Sequence, residues 1–470
     1  MQQYLSSRSR LQDFQRCNRA RYWLHEARGT GFSPRALAVP LVTGGAVHLG
    51  LEALALNALD ARPLDIDAAV LAAVGEYERQ CSGRGFSLEE LESQSFVFAE
   101  QRALVEGLVR LAGIRVMPKV LESYEILEVE KMDSAPLISD DASEWEILWR
   151  SIPDALLRSK ADGDLYVLSW KTTAEYSSQR DQDARTDMQG LSECWALEAR
   201  LAQWEKQVRN GSMQAQGEVP PPDWFVQHII NGGTSRIRGV QMAYLVKGAR
   251  RKASQELNDR LSTPEQKVVA YKTASPLIYG YAKSSAIGPA DLAWSNDWKC
   301  SAPHPMRKSQ WYPTGECPGD GRNHKRGDDW KSFAAWETIG VKAWVDALAT
   351  EGITPEAGDA LDSMWVLPVP HFRTAAAVAS WERQAKALET RIARGLSVAR
   401  IAEDAQDGEV LAEVLDEHFP QATEKCADWF HRKCPAWELC HGSGHVAEDP
   451  VGSGLYQIKT PYEERVGVGG

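Results

Sequence analysis

Residues 152–173 read IPDALLRSKADGDLYVLSWKTT. Two apolar runs, PDALLRSK and DLYVLSWKT, flank the tight-turn signature ADGD, and together they predict a β-hairpin. LYVL is apolar on both faces, as a central strand should be. Hairpin pairing brings Asp154, at the start of the first strand, to the same sheet edge as Lys171, near the end of the second. Metal-assisted phosphodiester hydrolysis needs such a pair. The carboxylate holds a hard divalent cation that polarises the phosphate and activates water. The lysine orients the nucleophile or stabilises developing charge. An exposed hairpin carrying two ordinary charges would read the same way.

The flanking segments predict an α/β pattern. LSSRSRLQDFQRCNRARYWLHEA, TGGAVHLGLEALAL and FAEQRALVEGLVRLAGI read as helices, and YEILEVEK and WEILWRS as strands. After the hairpin, RTDMQGLSECWALEARLAQW has helical spacing at Met188, Leu191, Trp195, Ala199 and Ala202. FVQHII and GVQMAYLVK return to strand, and AAAVASWERQAKALETRIARGL is a long helix. Residues 205–224 contain a polar linker ending in VPPPDW, and residues 285–332, rich in Gly, Pro, Ser and charge, carry no readable regular structure. Strands, helix, strands in that order predict an α/β fold.

The hairpin and its surroundings resemble the PD-(D/E)XK nuclease superfamily, in particular its RecB-like branch. Pro153–Asp154 matches the PD half, and Ser169–Trp170–Lys171 occupies the (D/E)XK half, followed by Thr172–Thr173. His48 in GGAVHLGLE matches the helix histidine that ligates metal in that branch. Glu130 in EVEK matches a strand glutamate before the PD strand, and Gln189 matches the glutamine of the fourth motif. The usual tyrosine four residues on is Glu193 here. The resemblance implies a restriction-endonuclease-like mixed sheet flanked by helices and a nuclease acting on DNA, from an end or on single strands. It implies Mg²⁺ or Mn²⁺ held by Asp154, with His48 and Glu130 as further candidate ligands. Lys171 would position the attacking water, and Gln189 would orient Lys171 or the DNA backbone.

One position departs from the pattern. Ser169 stands where the family has its second acidic ligand, and a hydroxyl is a poor divalent-cation ligand beside a carboxylate. Either the acid has migrated, with Glu130, Glu146 and Glu175 within sequence reach, or the site keeps the fold and the DNA grip without cleavage.

The chain ends unusually, with WFHRKCPAWELCHG at 429–442. Three cysteines, Cys426, Cys434 and Cys440, crowd there, and Cys17 lies far upstream. The resemblance extends to AddB-type and CRISPR-associated nucleases that staple their ends with a 4Fe–4S cluster, using one N-terminal and three C-terminal cysteines. CPAWELC reproduces their final C-x5-C, whereas the preceding spacing is longer, and His431 is the alternative to Cys426. Thiolate is the softer ligand and favours Cys426. Zinc, which accepts four cysteines or three with a histidine, is the competing occupant. Cys300, His304, Cys317 and His324 could form a second, zinc-type site, although their spacing fits no clear motif. Cys81 and Cys194 read as packing residues.

Composition bounds these readings. The 470 residues suffice for several domain-sized units. The expected division is a staple (1–35 with 420–446), a nuclease core (36–260), a loop-rich insertion (261–345), a helical segment (346–419) and a tail (447–470). Eight cysteines are too sparse for a disulfide scaffold. No apolar run long enough for a membrane span and no secretory signal is apparent. The resemblance puts the protein in the cytoplasm of a bacterial or phage-infected cell. A net charge of −12 argues against whole-surface attraction to nucleic acid but allows a local basic channel. Lys247, Arg250, Arg251 and Lys252 in VKGARRK are candidate phosphate contacts, with RIRG (236–239) and RNHKR (322–326) adding local charge. No G-x-x-x-x-G-K-[ST] phosphate loop occurs, so unwinding would need a helicase or recombination partner.

Overall fold

A computed structural model describes residues 2–35, 39–82, 96–139, 145–173, 176–211, 219–246, 365–426, 434–442 and 444–459. The strands are β1 (Gln2–Ser7), β2 (Phe32–Pro34), β3 (Tyr124–Val129), β4 (Asp133–Ile138), β5 (Trp145–Ser151), β6 (Ala155–Ser159) and β7 (Leu165–Thr173). They continue with β8 (Ile237–Val246), β9 (Trp365–Val366), β10 (His371–Phe372) and β11 (Tyr456–Ile458). The first helices are α1 (Arg8–Arg16), α2 (Asn18–Arg21), α3 (Val39–Leu59), α4 (Ile66–Ser82), α5 (Phe96–Leu111) and α6 (Met117–Ser123). The later ones are α7 (Ser178–Thr186), α8 (Met188–Asn210), α9 (Asp223–Ile230), α10 (Ala375–Asp404) and α11 (Gly408–His418).

The hairpin forms as expected and lies inside the larger sheet, whose order is β10-β8-β7-β6-β3, with β9 also on β8. β6 and β7 pair antiparallel, with Ala155 opposite Leu168, while β7 and β8 pair parallel. The parallel step is made by a helical crossover through α7, α8 and α9, as parallel neighbours require. A smaller sheet, β1-β5-β4, lies alongside. The architecture is the mixed sheet flanked by helices that the sequence implied.

Alternation along β7 sorts two cores. Leu165 and Val167 join Trp195, Leu197, Leu201 and Trp204 of α8. Tyr166, Leu168 and Trp170 join α3, α4 and α5 through Val47, Leu51, Ala73 and Leu108. Gly50 lets α3 lie close to α5, because a Cβ there would stand 2.5 Å from Val109 Cγ2. The stretch Leu41–Leu59 of α3 is long and apolar enough by composition to cross a membrane, which the sequence reading had not expected. Here Val42, Ala46, Val47, Leu51, Leu54 and Ala55 are buried against the sheet and its neighbouring helices, as in a core helix.

Two further expectations change. FVQHII is not a strand but most of α9, which starts after Pro222 and buries Phe225, His228 and Ile229 at helical spacing. The N-terminal segment is not one helix. Its first residues form β1, parallel to β5, and the helix breaks at Cys17, whose backbone is extended between α1 and α2.

Trp149 of β5 is fully buried and meets Trp381 of α10 edge-on at 4.9 Å, which in turn touches Trp195 of α8 at 5.5 Å. This cluster ties the small sheet to the long C-terminal helix. Trp149→Ala is expected to cost about 3–5 kcal/mol, read as a lower urea midpoint, with the metal centre intact.

Candidate metal centre

Asp154 sits just before β6, and one step beyond the Ala155–Leu168 pair it stands opposite Ser169 of β7. Its side chain replaces a ladder acceptor: the Trp170 N–H donates to Asp154 Oδ2 at 2.5 Å. By the alternation of β7, Ser169 and Lys171 continue the face of Leu165 and Val167, which α8 covers. Asp187 caps α8, its carboxylate accepting from the Gln189 N–H at 3.1 Å, which fixes Gln189 in the first turn. From there Gln189 Oε1 accepts from Lys171 Nζ at 2.8 Å, and Gln189 Nε2 donates to Glu193 Oε1 at 2.7 Å.

His48 reaches Asp154 from α3, Nδ1 to Oδ1 at 3.3 Å. Glu130 arrives from the end of β3, held in left-handed backbone at φ 45°, with its N–H on the Asp154 carbonyl at 3.2 Å. A non-glycine residue in that region is strained, and such strain concentrates at functional sites. One ligand atom each from His48, Glu130 and Asp154 lie within 4.8 Å of one another. Two carboxylates and an imidazole suit Mg²⁺ or Mn²⁺.

The electrostatics suit a divalent cation. Burial pushes the Asp154 carboxyl up, but the His48 hydrogen bond and charge, the Lys171 charge and the Trp170 N–H outweigh it. Asp154 is therefore held below the usual carboxylate range. Burial, then repulsion from Asp154 and Glu52, pushes Glu130 up to about 9. Burial raises Glu193 to about 8 against the pull of Lys171. Both folded-state values lie above the ordinary 4.5, so between them the folded chain holds protons that the unfolded chain has released. In chelator, stability from this source is full below about pH 4.5 and is lost as pH rises towards 8 to 9. Melting curves in EDTA at several pH values should fall less steeply with pH for Glu130→Gln than for the parent.

A family profile for the PD-(D/E)XK nuclease superfamily matches residues 6–274, more than half of the chain. The chain belongs to the PD-(D/E)XK nuclease superfamily. The matched span includes His48, Glu130, Asp154, Ser169, Lys171 and Gln189. A search of curated proteins finds no match. Membership makes a nuclease, a phosphodiester hydrolase that uses divalent metal, the expected class.

Of the candidate replacements for the absent acid, Glu130 is in the cluster. Glu146 is in the small sheet, accepting from Gln3 at 2.9 Å, and does not belong to the site. Glu175 lies outside the described residues, as do Lys247, Arg250, Arg251, Lys252, His431, the RNHKR segment and Cys300, His304, Cys317 and His324. Within RIRG, Arg236 pairs with Glu198 at 3.2 Å and Arg238 with Asp164 at 3.5 Å. The sequence reading noted Glu193 only as standing in place of a tyrosine and gave it no role. Its signal was a carboxylate on the buried face of a helix, one turn after Gln189.

The cysteines form a second constellation. Cys17, Cys426 and Cys434 are buried, and Cys440 is partly buried. Cys440 feels the charges of Cys17, Cys434 and Cys426, and Cys434 those of Cys17 and Cys426. The Ala422 N–H points at Cys17 Sγ at 3.5 Å and the Ala436 N–H at Cys434 Sγ at 3.4 Å. Cys434 N–H donates to the Cys426 carbonyl at 2.8 Å, and His441 Nε2 stands 3.4 Å from Cys426 Sγ. Burial pushes Cys434 and Cys440 up to about 12, so four thiolates gathered here would need a cation to be stable. Cys81 and Cys194 are fully buried in the two cores, as packing residues are.

Proposed function

We propose that this chain is a metal-dependent deoxyribonuclease of the RecB-like type, working from DNA ends or on single strands, with a 4Fe–4S cluster joining its two ends. The observation that carries the nuclease reading is the convergence of His48, Glu130 and Asp154 beside Lys171. A bound Mg²⁺ or Mn²⁺ would supply Lewis-acid polarisation of the phosphate and lower the pKa of a water. Asp154, held ionised, is the principal ligand, with His48 and Glu130 beside it. Lys171 orients the water and meets the charge that develops on the phosphate. Gln189 keeps Lys171 in place through its 2.8 Å hydrogen bond. Water adds to phosphorus, the bond from phosphorus to the leaving sugar oxygen breaks, and that oxygen takes up a proton.

For the cluster, the support is four cysteines from opposite ends of the chain, with backbone N–H groups directed at two of the sulfurs. A bound cluster would supply a rigid multivalent cross-link. Cys17, Cys426, Cys434 and Cys440 would hold it. The setting we infer is recombination, repair or replication of a bacterial or phage genome, alongside a helicase or recombination protein.

A second reading, a DNA-binding or assembly protein that has lost cleavage, is favoured by Ser169 alone. Asp154→Asn separates the two. For a nuclease it abolishes both Mn²⁺ binding and cleavage of labelled DNA. For a retired site the parent itself binds DNA and cuts nothing.

A further inference from the structure

We propose that Glu193 is a further acid of this metal centre, joining Asp154 and Glu130 and offering from helix α8 the carboxylate that Ser169 does not offer from strand β7. The inference rests on the reading of the site as a divalent-metal nuclease centre.

Ser169 is 2% exposed, and its hydroxyl has no hydrogen-bond partner among the described residues. It occupies the position beside Asp154 without contributing charge or a hydrogen bond to it. Glu193 is 4% exposed on the α8 face that covers Ser169 and Lys171. One of its oxygens is used, accepting from Gln189 Nε2 at 2.7 Å. The other, Oε2, is buried and has no hydrogen-bond partner among the described residues. Burying a carboxylate costs free energy unless it is paired. Lys171 and Arg8 act on Glu193 electrostatically, yet no hydrogen bond among the described residues reaches Oε2, which leaves that oxygen open to a metal ion.

The surroundings say which cation centre. Glu193 feels the charges of Lys171, Asp154 and Arg8, and Glu130 feels that of Glu193, which stands outside the His48, Glu130 and Asp154 atoms that lie within 4.8 Å of one another. Through Gln189 it is also hydrogen-bonded, at one remove, to the Lys171 ammonium. A helix stands farther from the strand than a strand residue's own side chain does. The extra methylene of a glutamate reaches where a serine or aspartate on α8 could not. The two anomalies, a silent hydroxyl on the strand and an unspent carboxylate on the helix, have one explanation: the acid has moved from the strand to the helix.

A purely positioning role is the rival, in which Glu193 only holds the Gln189 amide so that its Oε1 faces Lys171. Glu193→Gln distinguishes them, because it keeps an acceptor for Gln189 and removes the charge. Mn²⁺ binding is measured by titration calorimetry on the full-length parent, Glu193→Gln, Asp154→Asn, and Ser169→Asp combined with Glu193→Gln. The expected result is Mn²⁺ affinity about tenfold or more weaker in Glu193→Gln, with much of it recovered when Ser169→Asp is added. Mn²⁺ binding unchanged in Glu193→Gln but lost in Asp154→Asn overturns the proposal and leaves the nuclease reading standing. Unchanged binding in Asp154→Asn overturns both. Melting curves in EDTA guard against misfolding. If Glu193→Gln melts below the parent, Glu193→Asp carries the test. It retracts the charge by one methylene, and Mn²⁺ affinity equal to the parent's would then overturn the proposal.

Discussion

Lys171→Ala is expected to bind Mn²⁺ and DNA as the parent does and to cleave about a hundredfold more slowly, or worse. The lysine lies beside the metal-binding group, its Nζ donating to Gln189 Oε1 at 2.8 Å. Its charge helps to keep Asp154 ionised, so a modest rise in the Asp154 value accompanies its loss. Lys171 lies near the end of β7, is only partly buried and packs into neither core. Folding should therefore change by less than about 1 kcal/mol. Single-turnover cleavage measured beside Mn²⁺ calorimetry checks both halves. A variant that cleaves like the parent removes Lys171 from the chemistry, and one that unfolds makes it structural.

Cys434→Ala should lose iron and visible absorbance together and melt roughly 10 °C or more below the anaerobically purified parent. The four thiols come from residues 17 and 426–440, so a cluster there would cross-link nearly the whole chain. Complete unfolding is not expected, because the two ends hold each other by other means. Arg19 donates to the Phe419 carbonyl at 2.8 Å and pairs with Asp416 at 2.5 Å. Ser6 donates to Glu389 at 2.5 Å, buried Arg21 bridges Glu26 and Glu389, and β2 pairs with β11. Iron counting and absorbance give the readout. A parent free of iron, or a Cys434→Ala protein with unchanged colour and melting curve, would remove the cluster. Zinc in place of iron would keep the staple and change its chemistry.

What could be read from the sequence followed from local pattern. The hairpin at 152–173 was legible because two apolar runs and a DG turn are short-range signals. From the hairpin came the approach of Asp154 to Lys171. Spacing of three and four residues gave α8 and α10 for the same reason. β1 was not legible: QQYLSS is polar, and its partner β5 lies more than a hundred residues away. β4, with Pro136 inside DSAPLI, was not among the strands read from the sequence; it is an edge strand of the small sheet, where proline is tolerated. FVQHII was too short for its helical spacing to outweigh its apolar content, and only its packing under Trp204 and Trp224 decides it.

At the site, residues matched by motif position were legible, and those defined by space were not. Glu193 had no motif to announce it, because the RecB-like resemblance leads one to expect a tyrosine there. Only the fold shows that its helix lies over Ser169. Glu130 could be placed before the PD strand, but its left-handed backbone and its contact with the Asp154 carbonyl depend on the β3–β4 turn.

A working divalent-metal nuclease built around Asp154 must cut DNA in a metal- and Asp154-dependent way. The most direct test is to incubate anaerobically purified protein with end-labelled single- and double-stranded DNA, in Mn²⁺ and in EDTA, beside Asp154→Asn. Cleavage is expected from the parent in Mn²⁺ and not in EDTA, and none from the variant. DNA binding without cleavage in any metal, or cleavage that survives Asp154→Asn, would contradict that expectation.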